Sequence, residues 1–191
     1  VAGNDEILRL MKASGCAGLL IGFESIRPET LARMGKRQNL TSADPARYYR
    51  EVIAKLHRFG IAVHGHICTD PADERETMLR TIAFIRSSGL DMVNYPVLTP
   101  FPGTRLFAEK RNALIYRDFP RDWDSFDRGR LIYPSAPLSE REFNELRWRM
   151  ARASNSLGKA LARGWGCIRH SGSFANGLIL LGLNLYQIRL V

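Results

Sequence analysis

At three places in this 191-residue chain, polar or conformationally special residues directly follow a short apolar run. Glu24 and Ser25 follow AGLLIGF at 17–23. His66, Cys68, Thr69 and Asp70 end the run that begins at Ile61. Thr99, Pro100, Phe101, Gly103 and Thr104 belong to LTPFPGT, which closes the run at 91–98. A carboxylate beside a hydroxyl, as at Glu24–Ser25, can hold the vicinal diol of a ribose by paired hydrogen bonds. It can equally cap the helix that starts near Pro28 or pair with a nearby Arg. In LTPFPGT two prolines lack an N–H and fix φ, while Gly103 permits close backbone approach. Such a turn either presents bare backbone groups to a flat aromatic base or is purely structural. His64, His66 and Cys68 alternate as H-x-H-x-C, which on a strand puts them on one face. With no fourth ligand in the row, they read as hydrogen-bonded residues of a strand end rather than as a metal site.

These groups can cooperate only if the elements before them are neighbours. Apolar spacing predicts a helix over 4–14 closed by Gly15, a strand over 17–23 and a short helix over 28–34. A helix over 45–59 follows, with Asp44 as N-cap and Gly60 as stop; then come a strand over 61–67, a helix over 73–88 and a strand over 91–98. The run at 17–23 does not alternate, which suits a parallel strand buried on both faces. Helix–strand alternation with short connections means βαβ units and a parallel sheet, either a barrel or a doubly wound fold. In both, ligands bind at the carboxyl ends of the strands.

Beyond Pro102 the pattern changes. A short helix is expected over 104–112 and irregular chain over 116–137. A helix then opens at Ser139 with a capping box to Glu142 and runs to about 162, and a last helix covers 173–187. The expected organisation is therefore an α/β part over 1–112 and an irregular plus helical part over 113–191. The longer late helix puts Phe143, Leu146, Met150, Ala153, Leu157 and Leu161 on one side and Arg149, Arg152, Lys159 and Arg163 on the other. The apolar run at 178–185 is far shorter than the ~20 residues needed to span a bilayer.

Composition narrows the class. Hydrophobic residues make up 45% and charged residues 25%, as in globular proteins and unlike disordered chains. Cys16, Cys68 and Cys167 are far apart in sequence, with no CxxC or CxxxCxxC among them. Their odd number and the absence of a secretory signal favour a cytoplasmic setting. The net charge is +9, and after Leu146 there are Arg147, Arg149, Arg152, Lys159, Arg163, Arg169 and Arg189 but no acidic residue. This excess is first read as a solvated face; an anionic membrane surface is the alternative partner. Nucleic acid is not expected, because the interleaved aromatics of a single-strand binder are missing.

Taken together, GLLIGFESIRPETLARMGKRQN (18–39), HRFGIAVHGHICTDPADERETMLRTIAFI (57–85) and DMVNYPVLTPFPGTRLF (91–107) resemble the second half of the radical S-adenosylmethionine (SAM) barrel. The resemblance is to the cobalamin-binding type with a helical carboxy-terminal extension, which RDWDSFD (121–127) and NLYQIR (184–189) also resemble. It implies a partial TIM-like barrel and a carboxy-terminal fragment of an enzyme that cleaves SAM reductively. The [4Fe–4S] cluster, and a cobalamin domain if one is used, would sit in an upstream part of the same polypeptide. The implied reaction is methyl transfer or another C–H functionalisation of a small-molecule or lipid substrate, with this chain inactive alone. Glu24 and Ser25 fall where that family contacts the ribose and methionyl part of SAM. His66 and the turn with Thr99, Pro100, Phe101 and Gly103 complete the implied cofactor site. Where that family carries roughly FIFGFDGDT, this chain has HGHICTDPADE (64–74), which implies an altered substrate or a degenerate copy. The rival expectation is a non-catalytic basic module at a membrane surface.

Overall fold

The computed structural model describes residues 3–40 and 42–189. Three parallel strands, β1 (Gly18–Glu24), β2 (Ala62–Ile67) and β3 (Met92–Asn94), form a sheet in the order β1-β2-β3. Helix α1 (Asp5–Ala13) precedes them. Helices α2 (Pro28–Arg33) and α3 (Pro45–Arg58) connect β1 to β2, and α4 (Arg75–Ser87) connects β2 to β3. The caps are those the residue types demand. Asp44 accepts the Arg47 N–H at the start of α3, and Gly60 and Gly89 take positive φ just beyond α3 and α4.

Strand alternation divides the sheet into two different faces. Phe23, Val63, Ile67 and Val93 point into the main core with Tyr49, Ile53 and Leu56 of α3, Ile82 and Ile85 of α4, and Leu8 of α1. The opposite face carries Leu20, His64, His66, Met92 and Asn94. It is only partly covered, and Leu20 remains 63% exposed. The expectation that β1 is buried on both faces fails for this reason: residues 179, 180 and 183 cover that face only across an open groove beside Leu19 and Leu20.

The partial TIM-like barrel is corrected to an open sheet. Local βαβ alternation is common to barrels and open sheets. Closure depends on strand number and stagger, with about eight strands in a barrel. Here β1 and β3 are both edges. The third strand also falls short of the expected 91–98, since Pro96 has no N–H to continue a ladder. Only the bridge between Thr69 and Val97 carries the pairing further.

Helix α5 (Arg105–Lys110) leads into irregular chain with a cis Phe119–Pro120 bond. Helix α6 (Glu140–Ser154) has both halves of the capping box between Ser139 and Glu142. It packs Phe143 and Leu146 on Met78 and Val97, and Met150 on the main core. The expected single helix to about 162 is instead two. Asn155 is extended, and Ser156 caps a new helix, α7 (Leu157–Ser171), which pairs with α8 (Phe174–Arg189).

The α7–α8 hairpin approaches closely at Gly164 and Gly177. A Cβ on Gly177 would lie 2.2 Å from Ile168 Cγ1 and 2.8 Å from the Gly164 carbonyl oxygen, whereas one on Gly166 would meet nothing within 4 Å. Gly177→Ala is therefore expected to lower stability by about 1–3 kcal/mol. Gly166→Ala should raise it by up to ~1 kcal/mol through helix propensity. Urea denaturation midpoints of the two variants check the opposite signs.

Candidate functional site

The three strand tips are stitched side by side. The Cys68 N–H donates to the Glu24 carbonyl at 2.8 Å, the Thr69 N–H to the Pro96 carbonyl at 2.8 Å, and the Leu98 N–H to the Thr69 carbonyl at 2.9 Å. The β1–β2 register slips between Gly22 and Glu24, and Glu24 takes φ 64°, a conformation that costs a non-glycine residue ~1–2 kcal/mol. Neighbours hold it there. The Asn39 amide donates to the Gly22 and Phe23 carbonyls, both at 2.9 Å, and the Tyr49 hydroxyl lies 3.0 Å from the Phe23 carbonyl oxygen. Lys36 Nζ meets Glu24 Oε1 at 2.8 Å. Glu24 Oε1 folds back over Gly22, where a Cβ would stand 2.7 Å from it. The tip of β1 is thus a strained carboxylate on a rigid mount, an arrangement found at functional sites.

Part of the expected rim is closed by the chain itself. Ser25 is buried and its Oγ accepts the Arg27 N–H at 3.1 Å. Thr99 is buried and its hydroxyl donates to the Val97 carbonyl at 3.0 Å; Pro100 is buried beside it. Asp70 is buried, accepts the Ala72 N–H at 2.8 Å and pairs with Arg33. That carboxylate in turn raises the pKa of the Arg33 guanidinium. The irregular segment lays Tyr133 over this tip and joins it where the Ala136 N–H donates to the Pro71 carbonyl. Burial, aided by Asp70 and Cys68, raises the Tyr133 phenol pKa. Burial, then the Glu24, Asp70 and Asp73 carboxylates, pushes the Cys68 thiol to about 12, so it stays protonated and unreactive at neutral pH. Glu24, His66, Phe101 and Gly103 stay accessible, with Phe101 41% exposed and Gly103 at φ 81° in open space.

His64 and His66 stack edge to face, 5.5 Å between centroids. Burial lowers the His64 pKa, which favours the neutral ring, and its Nε2 has no hydrogen-bond partner. His66 Nε2 lies 3.0 Å from Asn94 Nδ2, and the Gln187 amide donates to Asn94 Oδ1 at 3.2 Å. Among the described residues no group of three or more His, Cys, Asp or Glu side chains is placed to hold a metal ion. His66 and Asn94 open into a cleft of about 780 Å³, walled by Tyr95, residues 127–130, Arg147 of α6 and Asn155 just past its last turn. Sequence reasoning missed Lys36, Asn39, Asn94, Arg147 and Gln187. Only Asn94 left a signal, a polar residue in phase with the face of His64 and His66.

The basic face expected on one helix over 139–163 does not form. Lys159 Nζ donates to the Ala153 carbonyl, and Arg163 Nη1 to the Ser154 carbonyl at 2.9 Å and to Asn184 Oδ1 at 2.8 Å. Both cations turn inward to close the last carbonyls of α6. The membrane-surface module is corrected accordingly, and no described helix is long and apolar enough to cross a membrane.

No family model matches the chain. It is 34% identical over 123 residues to the bacteriochlorophyllide d C-12(1)-methyltransferase of Chlorobaculum tepidum, covering 64% of this chain and 25% of that protein. It is 26% identical to the bacteriochlorophyllide d C-8(2)-methyltransferase of the same organism, covering 64% of this chain and 26% of that protein. An uncharacterized methyltransferase of Pyrococcus horikoshii is 30% identical over 118 residues, 59% of this chain and 24% of that protein. The chain thus spans about a quarter of the length of the curated relatives it matches. The relatives correct the family expectation, since they are named for methyl transfer. Reductive SAM cleavage, the [4Fe–4S] cluster and cobalamin are withdrawn with it.

Asp73 supplies a pH test of the closed tip. Its Oδ2 accepts the Asp70 N–H at 3.1 Å, its Oδ1 has no partner, and burial followed by the Asp70 charge raises its pKa to about 6. The folded chain therefore binds this proton more tightly than the unfolded chain. The stability contributed by Asp73 is fully present below pH ~4 and is lost as pH rises through about 6. Relative to Asp73→Asn, the wild type should lose up to about 3 kcal/mol between pH 4 and 7. Urea unfolding of both proteins across that range measures it, and a pH-independent difference would contradict the raised pKa.

Proposed function

We propose that this chain is part of a methyltransferase that takes its methyl group from S-adenosylmethionine and passes it to a small organic acceptor of the bacteriochlorophyllide kind. The observation that carries the reading is the β1 tip, where a carboxylate is held at positive φ beside the open polar face of a parallel sheet. Similarity to three methyltransferases supports it. The donor set suits the nucleoside part of SAM. Glu24 Oε1 is anchored by Lys36, and its second oxygen makes no hydrogen bond among the described residues, which leaves an acceptor for ribose hydroxyls. Phe101 offers an exposed flat ring for a base, on a turn backed by the buried Thr99 and Pro100. His66 and Asn94 form the polar wall toward the cleft. SAM supplies the methyl group; the chain binds, orients and shields the two reactants.

Calorimetric titration with S-adenosylhomocysteine tests the donor site. The wild type is expected to bind one equivalent. Glu24→Gln, which keeps shape but loses the charge-assisted hydrogen bonds, should bind at least about tenfold more weakly, as losing ~1.5–3 kcal/mol implies. Unchanged affinity in Glu24→Gln would move the ribose elsewhere, and no binding by a folded wild type would overturn the donor site in this chain.

A further inference from the structure

The cleft beyond His66 and Asn94 holds polar atoms that the fold leaves unused. Arg147 is half-buried on α6. Its Nη1 donates to the Gly129 carbonyl at 2.6 Å, while its Nε is buried with no partner. No carboxylate lies within ion-pair distance of it among the described residues. Asp127, on the same wall, is already engaged by the Gly129 N–H at 2.7 Å and by Arg130 at 3.3 Å. Burying a guanidinium without an anion is costly, and its planar fork matches the two coplanar oxygens of a carboxylate, as it does those of a phosphate. Arg128 and Arg130 line the same cleft, so its charge is net positive. Arg128 is held at φ 66° while its carbonyl accepts the Val97 N–H at 2.8 Å, which ties the arginine-bearing wall to the sheet.

The far end has the opposite polarity. Asn155 Nδ2 meets the Tyr95 hydroxyl at 3.1 Å and Gln187 Nε2 meets Asn94, which leaves Asn155 Oδ1 and Gln187 Oε1 buried and unpartnered. Both are acceptors awaiting a donor. Between the ends, Arg147 and Ala151 lie one turn apart on one face of α6, and Asn155 lines the same cleft just past its last turn. From Arg147 to the end of α6 at Ser154 the helix rises about 11 Å, and Ala151 keeps the floor between them low. Trp148, 49% exposed, and Tyr95 add aromatic surface.

We propose that this cleft receives a carboxylate-bearing ring compound, with its carboxylate on Arg147 and its N–H or O–H donors toward Asn155 and Gln187. The inference rests on reading the cleft as the acceptor side of the methyltransferase, and it assigns Arg147 as a positioning residue for that acceptor.

Indole-3-acetate is a minimal probe, with tryptophol as its uncharged counterpart and 1-methylindole-3-acetate lacking the N–H donor. Binding to the chain is followed by 1H–15N shifts of the Arg147 Nε–H and Trp148 indole N–H. Indole-3-acetate should shift both and bind at least tenfold more tightly than tryptophol, with the N-methyl compound in between. Arg147→Gln should remove the preference for the acid. Arg147→Lys retains the charge and should keep part of it, which preserves the test if the glutamine variant unfolds. Arg80→Gln, which removes an exposed arginine of α4 paired with Glu76 outside the cleft, should leave binding within twofold. Equal binding of acid and alcohol, or an unchanged preference in Arg147→Gln or Arg147→Lys, overturns the assignment. Titration of the same samples with S-adenosylhomocysteine separates the two sites. Acid binding without homocysteine-derivative binding defeats only the donor site, and the reverse defeats only the carboxylate site.

Discussion

The parallel register of β1, β2 and β3 is the constraint on which the rest depends. It brings every strand tip to one end of the sheet and gives each strand one face for the core and one for other uses. Main-chain bonds from Cys68 to Glu24 and from Leu98 to Thr69 extend that register past the regular ladder. They bring residues distant in sequence into one rim without any side-chain contribution. A slip of one residue in β2 would send His64 and His66 into the core and Val63 and Ile67 out of it. Burying two imidazoles in place of two aliphatic side chains would remove much of the sheet's stabilisation.

The same rim shows two ways of treating a buried carboxylate. Asp70 has a partner on each oxygen, the Ala72 N–H on Oδ1 and Arg33 on Oδ2. Asp73 is left with one oxygen unpaired next to that carboxylate, and its proton is held correspondingly tightly. Tyr133 and the irregular segment close over both and shut this part of the sheet end to ligands. The opening is displaced toward Glu24, His66 and Asn94, and from there into the cleft along α6. Accessible polar groups are thus confined to one side of the sheet end by packing on the other.

The break between α6 and α7 has a comparable role beside the cleft. The extended Asn155 leaves the last carbonyls of α6 without helical partners, and Lys159 and Arg163 return to satisfy them. Arg163 also reaches Asn184, whose amide donates to the Asp91 carbonyl just ahead of β3. The helical hairpin is thereby fastened to the start of the sheet, and α8 places Gln187 beside Asn94. Positive charge that reads as surface in the sequence is in this way part of the internal hydrogen bonding.

Alternation, caps and stop glycines made the helix and strand order legible from residue types alone, because these depend on neighbours within a turn or a strand. The positions of Glu24 and His66 at strand ends were legible for the same reason, whereas Phe101 lies seven residues beyond the end of β3. Whether the sheet closes was not legible, since closure is a property of strand number and stagger. Nor was the burial of Ser25, Thr99 and Pro100, or the closure of the Asp70 tip, where Tyr133 and its segment arrive from over a hundred residues beyond β1. Arg147 illustrates the limit most clearly. Its sequence context is that of an ordinary exposed helix face; only tertiary packing against β3 and residues 127–130 leaves its guanidinium half-buried and without an anion. Local residue chemistry determined the elements and their ends, and long-range packing decided which polar groups remain available, because burial and partner choice are set by chain segments that no local spacing brings together.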